Sequence, residues 1–157
     1  MPVIAFNDVK GPNGWLSNMS PHTVFLDGQV YQTAEHLFQC LRFPGFPGIQ
    51  GEINEQPTPL KAKSVAKKYR KLHPSTKEND LRLMRKVIRL KAIQNPDLIR
   101  KLVFSEGEII EDSTTRPSGT GTFWGATQDA EGKWVGENHL GRIWMELRDE
   151  LKRVFML

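Results

Sequence analysis

A chain of 157 residues, 38% hydrophobic and 25% charged, is long enough to bury one core, and halves of it would fall short of one. No run approaches the roughly 20 apolar residues of a membrane span, and the opening residues carry neither the basic nor the apolar region of a secretory signal. A lone cysteine, Cys40, excludes an internal disulfide and a cysteine-based zinc site, so a reducing, cytoplasmic compartment is expected.

The net charge of +4 is unevenly spread. Between Lys61 and Lys91 there are 12 basic and 2 acidic residues, while the rest of the chain is acidic. This segment is either an attraction site for an anionic partner, such as nucleic acid or nucleotide phosphates, or the solvated faces of two helices.

In chain order, Val3–Phe6 reads as a short strand. Residues 23–26 and 29–31 flank Asp27-Gly28 as a tight hairpin. Thr33 caps a helix from Ala34 to about Phe43, with Ala34, Leu37, Phe38 and Leu41 on its inner face, and Pro44–Gly48 ends it. Thr58-Pro59 starts a second helix with Ala62, Val65, Ala66, Tyr69 and Leu72 as its buried stripe. Asn79 or Asp80 caps a third, running to about Gln94 on Leu81, Met84, Ile88 and Ala92. Asn95-Pro96-Asp97 restarts the chain into Leu98–Phe104. Glu108–Glu111 reads as a strand, 113–122 as a loop, and Asn138–Phe155 as a final amphipathic helix. The expected fold is α+β in a single domain, 1–157, with a predominantly helical body and a few short antiparallel strands.

GxGxxG, Walker A, HExxH and GxSxG motifs are absent, and His22, His36, His73 and His139 lack metal-ligand spacing, so neither metal nor cofactor is expected. The remaining polar groups in unusual places carry the chemistry. Glu35 opens a helix beside large apolar residues, either answering the helix dipole or projecting into a cleft with Gln39 one turn along. A helix N-terminus would hold Glu35 ionised, suiting it to act as a base or countercharge. Trp15 and Asn18 lie in a loop, where the indole is a packing lid or a base-stacking platform. Phe123-Trp124-Gly125 offers the same two readings. Gly136 to Gly141, with Asn138, opens a helix whose unpaired N–H groups could receive phosphate or ribose. Cys40, one turn beyond His36, reads as a buried structural thiol or, with that histidine, as a nucleophile pair.

These pieces form an ordered set: Gly14-Trp15-Leu16-Ser17-Asn18-Met19, Leu26-Asp27-Gly28-Gln29-Val30-Tyr31 and Thr33-Ala34-Glu35-His36-Leu37-Phe38-Gln39. Ala62-Lys63, Met84, Lys91-Ala92-Ile93-Gln94-Asn95-Pro96, Ile110-Glu111, Trp124-Gly125 and Asn138-x-Leu140-Gly141-x-x-Trp144-Met145-Glu146-Leu147-Arg148 continue it. The set resembles the NADAR family, the YbiA-like N-glycosidases, over nearly the whole chain. The resemblance implies cleavage of the N-glycosidic bond of a phosphorylated riboside, without metal. The substrate would be a nucleotide-like small molecule, such as a ribosylaminopyrimidine phosphate of riboflavin synthesis, or ADP-ribose attached to guanine in nucleic acid. It places the family's glutamate on Glu35. Arg42 stands where relatives commonly have lysine, and Gly121 where they tend to have an acid.

Breaking C1′–N builds positive charge on the sugar and negative charge on the leaving base. The expected assignment therefore has Glu35 activating water or stabilising the oxocarbenium ion, with Asp112 as second carboxylate. Asn18 and Asn138 would bond ribose or base, with Gln39 beside Glu35. Trp124 with Gly125, and Trp15, would stack on the base, and Arg42 with Lys63 would hold phosphate. At 100° per residue Lys63 points sideways from its helix's apolar stripe, which leaves Lys61 as a rival. Two other functions fit the same residues: a module that binds ADP-ribose or NAD without cleaving it, and a nucleic-acid-binding protein using the Lys61–Lys91 surface.

Overall fold

A computed structural model describes residues 2–7, 9–115 and 120–155. In chain order its elements are β1 (Val3–Phe6), β2 (Val24–Leu26), β3 (Gln29–Tyr31), α1 (Ala34–Leu41), α2 (Pro47–Asn54), α3 (Pro59–Arg70), α4 (Lys77–Gln94), α5 (Pro96–Phe104), β4 (Glu108–Glu111), α6 (Gly121–Trp124), β5 (Thr127–Gln128), β6 (Trp134–Val135) and α7 (His139–Val154). The protein is mainly helical with a few short strands. It divides into two units: Asn18–Asn95, and Met1–Ser17 together with Pro96–Leu157.

In the 18–95 unit, β2 and β3 pair antiparallel about Asp27 and Gly28, both at positive φ (50° and 79°), the geometry an Asp-Gly turn favours. Gln94 at the end of α4 clamps this hairpin. Its amide accepts from Phe25 N at 2.7 Å and donates to Phe25 O at 2.8 Å. Helices α1, α2 and α3 close on Cys40, Phe43, Ile53, Ala62, Val65 and Ala66, with Tyr31, Ile49 and Tyr69 at the margin. The Thr33 and Thr58 hydroxyls cap α1 and α3 as expected, accepting from His36 N and Lys61 N.

Four expectations for this unit are corrected. Helix α2 was not anticipated: Pro47 takes its first turn, but its two glycines and single fully buried residue, Ile53, leave no apolar stripe to read. It is fixed instead by Gln50, whose amide donates to the carbonyls of Phe43 and Cys40. Helix α4 starts earlier than expected, with Thr76 as its cap, because Asp80 is committed elsewhere. Its buried face adds Leu83, Val87 and Lys91, while Leu81 is half-exposed. Leu72 follows the end of α3 and is 75% exposed, so it does not extend the stripe.

In the other unit, β1 and β4 pair in register from Val3↔Glu108 to Phe6↔Glu111. Two strand pairs are antiparallel, but this one is parallel, its strands separated in sequence by the entire 18–95 segment. Helix α7 covers β4, burying Leu140, Ile143, Trp144, Leu147 and Leu151. Arg148 on α7 secures the turn before β4, donating to Gly107 O at 2.7 Å and Ser105 Oγ at 3.1 Å. The expected loop 113–122 ends in the short helix α6; its residues 116–119 lie outside the described residues. The small β5–β6 pair was not anticipated, since two-residue strands carry no periodicity. No helix among the described residues is long and apolar enough to cross a membrane.

Candidate active site

Nearly every residue of α1 is buried, including Glu35, His36 and Gln39. Such a helix needs each polar group satisfied, and His36 shows how. Its Nε2 lies 2.9 Å from Gln56 O, a carbonyl, so Nε2 carries the proton and donates. Its Nδ1 then accepts from the Thr33 hydroxyl at 2.8 Å. The ring thus ties the start of α1 to the chain after α2.

Glu35 is 6% exposed. Its N–H donates to Asn18 O at 3.0 Å, and Asn18 Nδ2 donates to Met84 Sδ at 3.3 Å. Among the described residues three buried side-chain oxygens lack a partner, and two of them are Glu35 Oε2 and Asn18 Oδ1. Unpaired buried oxygens are costly, and in a native fold they mark either strain or a place where a ligand supplies the donor.

Burial pushes the Glu35 carboxyl above its ordinary range, while Lys63, a hydrogen bond from Gln39, Arg42 and Arg70 pull it down without cancelling that effect. Desolvation thus works against the ionised form that the helix start was expected to favour. Glu35 is therefore a stronger base than an exposed carboxylate.

A polar chain leads away from Glu35. Gln39 bonds the carboxyl and accepts from Arg42 Nη1 at 3.2 Å. Arg42 grips Asp80 through Nε–Oδ1 and Nη2–Oδ2, both 3.2 Å, and lies over the Phe38 ring with Cζ 5.3 Å from its centroid. Ser75 adds a third bond to Asp80 at 2.6 Å. Because its Oε1 is taken by Arg42, Gln39 presents its NH₂ to Glu35.

Of the 12 basic residues from Lys61 to Lys91, ten are exposed, as solvated helix faces would be; the exceptions are Arg70 and Lys91. Lys91 is fully buried, its Nζ 2.7 Å from Ser20 Oγ, and desolvation lowers its pKa to about 7. Ser20 Oγ also meets His22 Nδ1 at 2.8 Å, so Lys91 pins the segment that follows Asn18. Arg70, half-buried at the end of α3, interacts with Glu35 and Asp80. Neither Arg70 nor Asp80 was singled out from the sequence. Two signals were there: Arg70 falls seven residues after Lys63 on the same face, and Asp80 is one of only two acids in a basic run.

Cys40 donates its thiol to Gln50 O at 3.4 Å, and burial raises its pKa to about 12, which suits packing and not nucleophilic chemistry.

The 18–95 unit thus gathers Glu35, Gln39, Arg42 and Lys63, with Asn18 joined through its backbone. Trp15, Asp112, Trp124, Gly125 and Asn138 lie in the other unit. There, Trp15 packs edge-on to Trp144 at 5.6 Å, and Trp144 Nε1 donates to Leu16 O at 3.1 Å. Asp112 Oδ1 accepts from both the N–H and the hydroxyl of Thr114, closing a turn. Trp124 meets Phe123 edge-on at 4.9 Å. Gly125 follows, where any Cβ would overlap Glu111 O and Ser113 Oγ. Asn138 takes a left-handed conformation (φ 51°) and spends its amide on β4: Nδ2 donates to Ile109 O at 2.9 Å and Oδ1 accepts from Glu111 N at 3.0 Å. Among the described residues no group of three or more His, Cys, Asp or Glu could hold a metal.

The chain is 27% identical to the N-glycosidase Npun_R5314 of Nostoc punctiforme, over 98% of this chain and 96% of that one. It is 29% identical to the N-glycosidase YbiA of Escherichia coli K12, covering 95% of this chain and 88% of the relative. It is also 26% identical to the chloroplastic riboflavin biosynthesis protein PYRR of Zea mays, of which it spans only 25%. The NMR structure of E. coli YbiA superposes on it with a TM-score of 0.77 at 26% identity, over 98% of this chain and 87% of the other. The sequence profile of the NADAR domain matches residues 5–152, and the chain belongs to that family.

Proposed function

We propose that this protein is an N-glycosidase that hydrolyses the C1′–N bond of a phosphorylated riboside, with Glu35 as its base. One observation carries the reading: Glu35 is buried, holds an unpartnered oxygen and has a raised proton affinity. Relatives named N-glycosidases lend support, and the family match over 5–152 supports treating the chain as one functional domain.

In the proposed step, the ionised Glu35 carboxylate faces the oxocarbenium-like sugar and takes a proton from water as the water attacks C1′. The leaving nitrogen departs with the bonding electrons and is protonated by solvent or by a second acid, and Glu35 then returns the water's proton to solvent. Gln39 keeps the carboxyl in one orientation, itself held by Arg42. Asn18, with Oδ1 unpartnered, would accept from a sugar hydroxyl or an amino group of the base. Asp112 enters from the sequence alone as the candidate second acid, and Trp15, Trp124, Gly125 and Asn138 enter as ligand-facing or supporting positions on the same footing.

The test is incubation with ADP-ribosyl-guanosine, ADP-ribosylated oligonucleotide, NAD, ADP-ribose and a ribosylaminopyrimidine phosphate, with released base and sugar read by mass. Base release that disappears in Glu35→Gln is expected, and Asp112→Asn in the same panel tests the second acid. No release from any of them by folded protein would replace this reading with that of a non-catalytic binding module.

A further inference from the structure

We propose that Arg70, assisted by Lys63, is the residue that binds the anionic, phosphate-type group of the ligand beside Glu35, and that Arg42 is instead a positioning residue. This rests on the reading of Glu35 as the centre of a riboside site.

Three cations surround Glu35 within its unit, Lys63, Arg42 and Arg70. Arg42 is committed: Nε and Nη2 go to Asp80, Nη1 goes to Gln39, and its flat face covers Phe38. Releasing it to a ligand would strand the carboxylate of Asp80, whose side chain is only 13% exposed, and would let Gln39 turn away from Glu35.

Arg70 is different. Half-buried, it makes no hydrogen bond or ion pair with any described residue, so its donors are unspent. Burial and the neighbouring Arg42 disfavour its charge, while Asp80 and Glu35 favour it without neutralising it. Lys63 likewise makes no hydrogen bond or ion pair with any described residue and lies seven residues earlier, two turns along the same face of α3, roughly 10 Å away. Three cations thus face two carboxylates, and with one pair closed the unsatisfied positive charge sits on Arg70 and Lys63. A guanidinium fork of this kind fits two oxygens of a phosphate, and the lysine adds a point charge.

The experiment is calorimetric titration of ribose 5-phosphate and ribose into wild type, Arg70→Gln, Arg70→Lys and Lys63→Gln, with the melting temperature of each as a check on folding. Wild type should bind ribose 5-phosphate at least about 10-fold more tightly than ribose. Arg70→Gln should lose that preference, Arg70→Lys should recover part of it, and Lys63→Gln should weaken it about 3-fold to 10-fold. Equal binding by wild type and Arg70→Gln, or no preference for the phosphate in wild type, overturns the proposal. Should Arg70→Gln fail to fold, Arg70→Lys decides, because an unchanged preference there denies the fork its role. The titration needs no turnover: phosphate binding that depends on Arg70 without base release would keep this inference and end the glycosidase reading.

Discussion

Arg42 and Asp80 face each other through two parallel hydrogen bonds of 3.2 Å, their side chains 9% and 13% exposed, and this pair decides which way Gln39 points at Glu35. Arg42 caps the end of α1 and Asp80 lies in α4, so the pair also links two helices. Removing one member leaves a buried charge alone. Arg42→Gln and Asp80→Asn should each cost about 3 kcal/mol of stability. The double replacement Arg42→Gln/Asp80→Asn should cost clearly less than the sum. Urea unfolding of the three variants measures this, and additive losses would mean that the pair carries no coupling.

Glu35→Gln separates function from folding. Turnover should fall by about 10²-fold to 10⁴-fold while ligand affinity stays close to wild type. The folded carboxyl has a higher pKa than the unfolded one, so its contribution to stability is lost as pH rises from its ordinary 4.5 through the raised folded value. The glutamine has no proton to lose, so its stability should exceed wild type at neutral pH. The wild-type kcat/KM should rise with pH on a limb centred above 4.5, the proton affinity that burial creates. A limb at or below 4.5, or a large stability loss in the variant, would contradict this account.

Lys91 gives the opposite sign. Its folded pKa, about 7, lies below its ordinary 10.5, so between those values the unfolded chain holds a proton that the folded chain has released. Its contribution to stability therefore improves as pH rises across that window. Lys91→Met should reduce this slope, read as the difference in urea midpoint between about pH 7 and about pH 10. An unchanged slope would place the titration elsewhere.

Asn138 joins the start of α7 to β4 with two hydrogen bonds while standing in the left-handed region. Asn138→Gly keeps the backbone unstrained but loses both bonds, at about 2 kcal/mol. Asn138→Ala should lose about 1 kcal/mol more, because alanine is disfavoured at positive φ. Denaturant midpoints compare the two, and a tie would show that conformation contributes little.

Much of the fold is legible in the residues themselves, where the signal is local. Asp27-Gly28 dictates a tight turn because few residue pairs tolerate two successive positive φ angles. Thr33 and Thr58 dictate helix starts because a hydroxyl can satisfy an N–H three residues on. Helix α2 escapes such reading, since Gln50 and Ile53 hold it against its neighbours while its own sequence holds two glycines. The parallel partner of β1 escapes it too, because Val3–Phe6 carries no mark that selects Glu108–Glu111.

The candidate site divides along the same line. The order of residues by itself determined the family resemblance, the helix that carries Glu35 and the basic character of α3 and α4. Only the tertiary structure decided that burial raises the proton affinity of Glu35, that Arg42 belongs to Asp80, and that Arg70 makes no hydrogen bond or ion pair with any described residue. The reason is physical: helix caps and turns act over three or four residues along the chain. Desolvation and ion pairing act between groups that touch in space, and Arg42 and Asp80 are 38 positions apart.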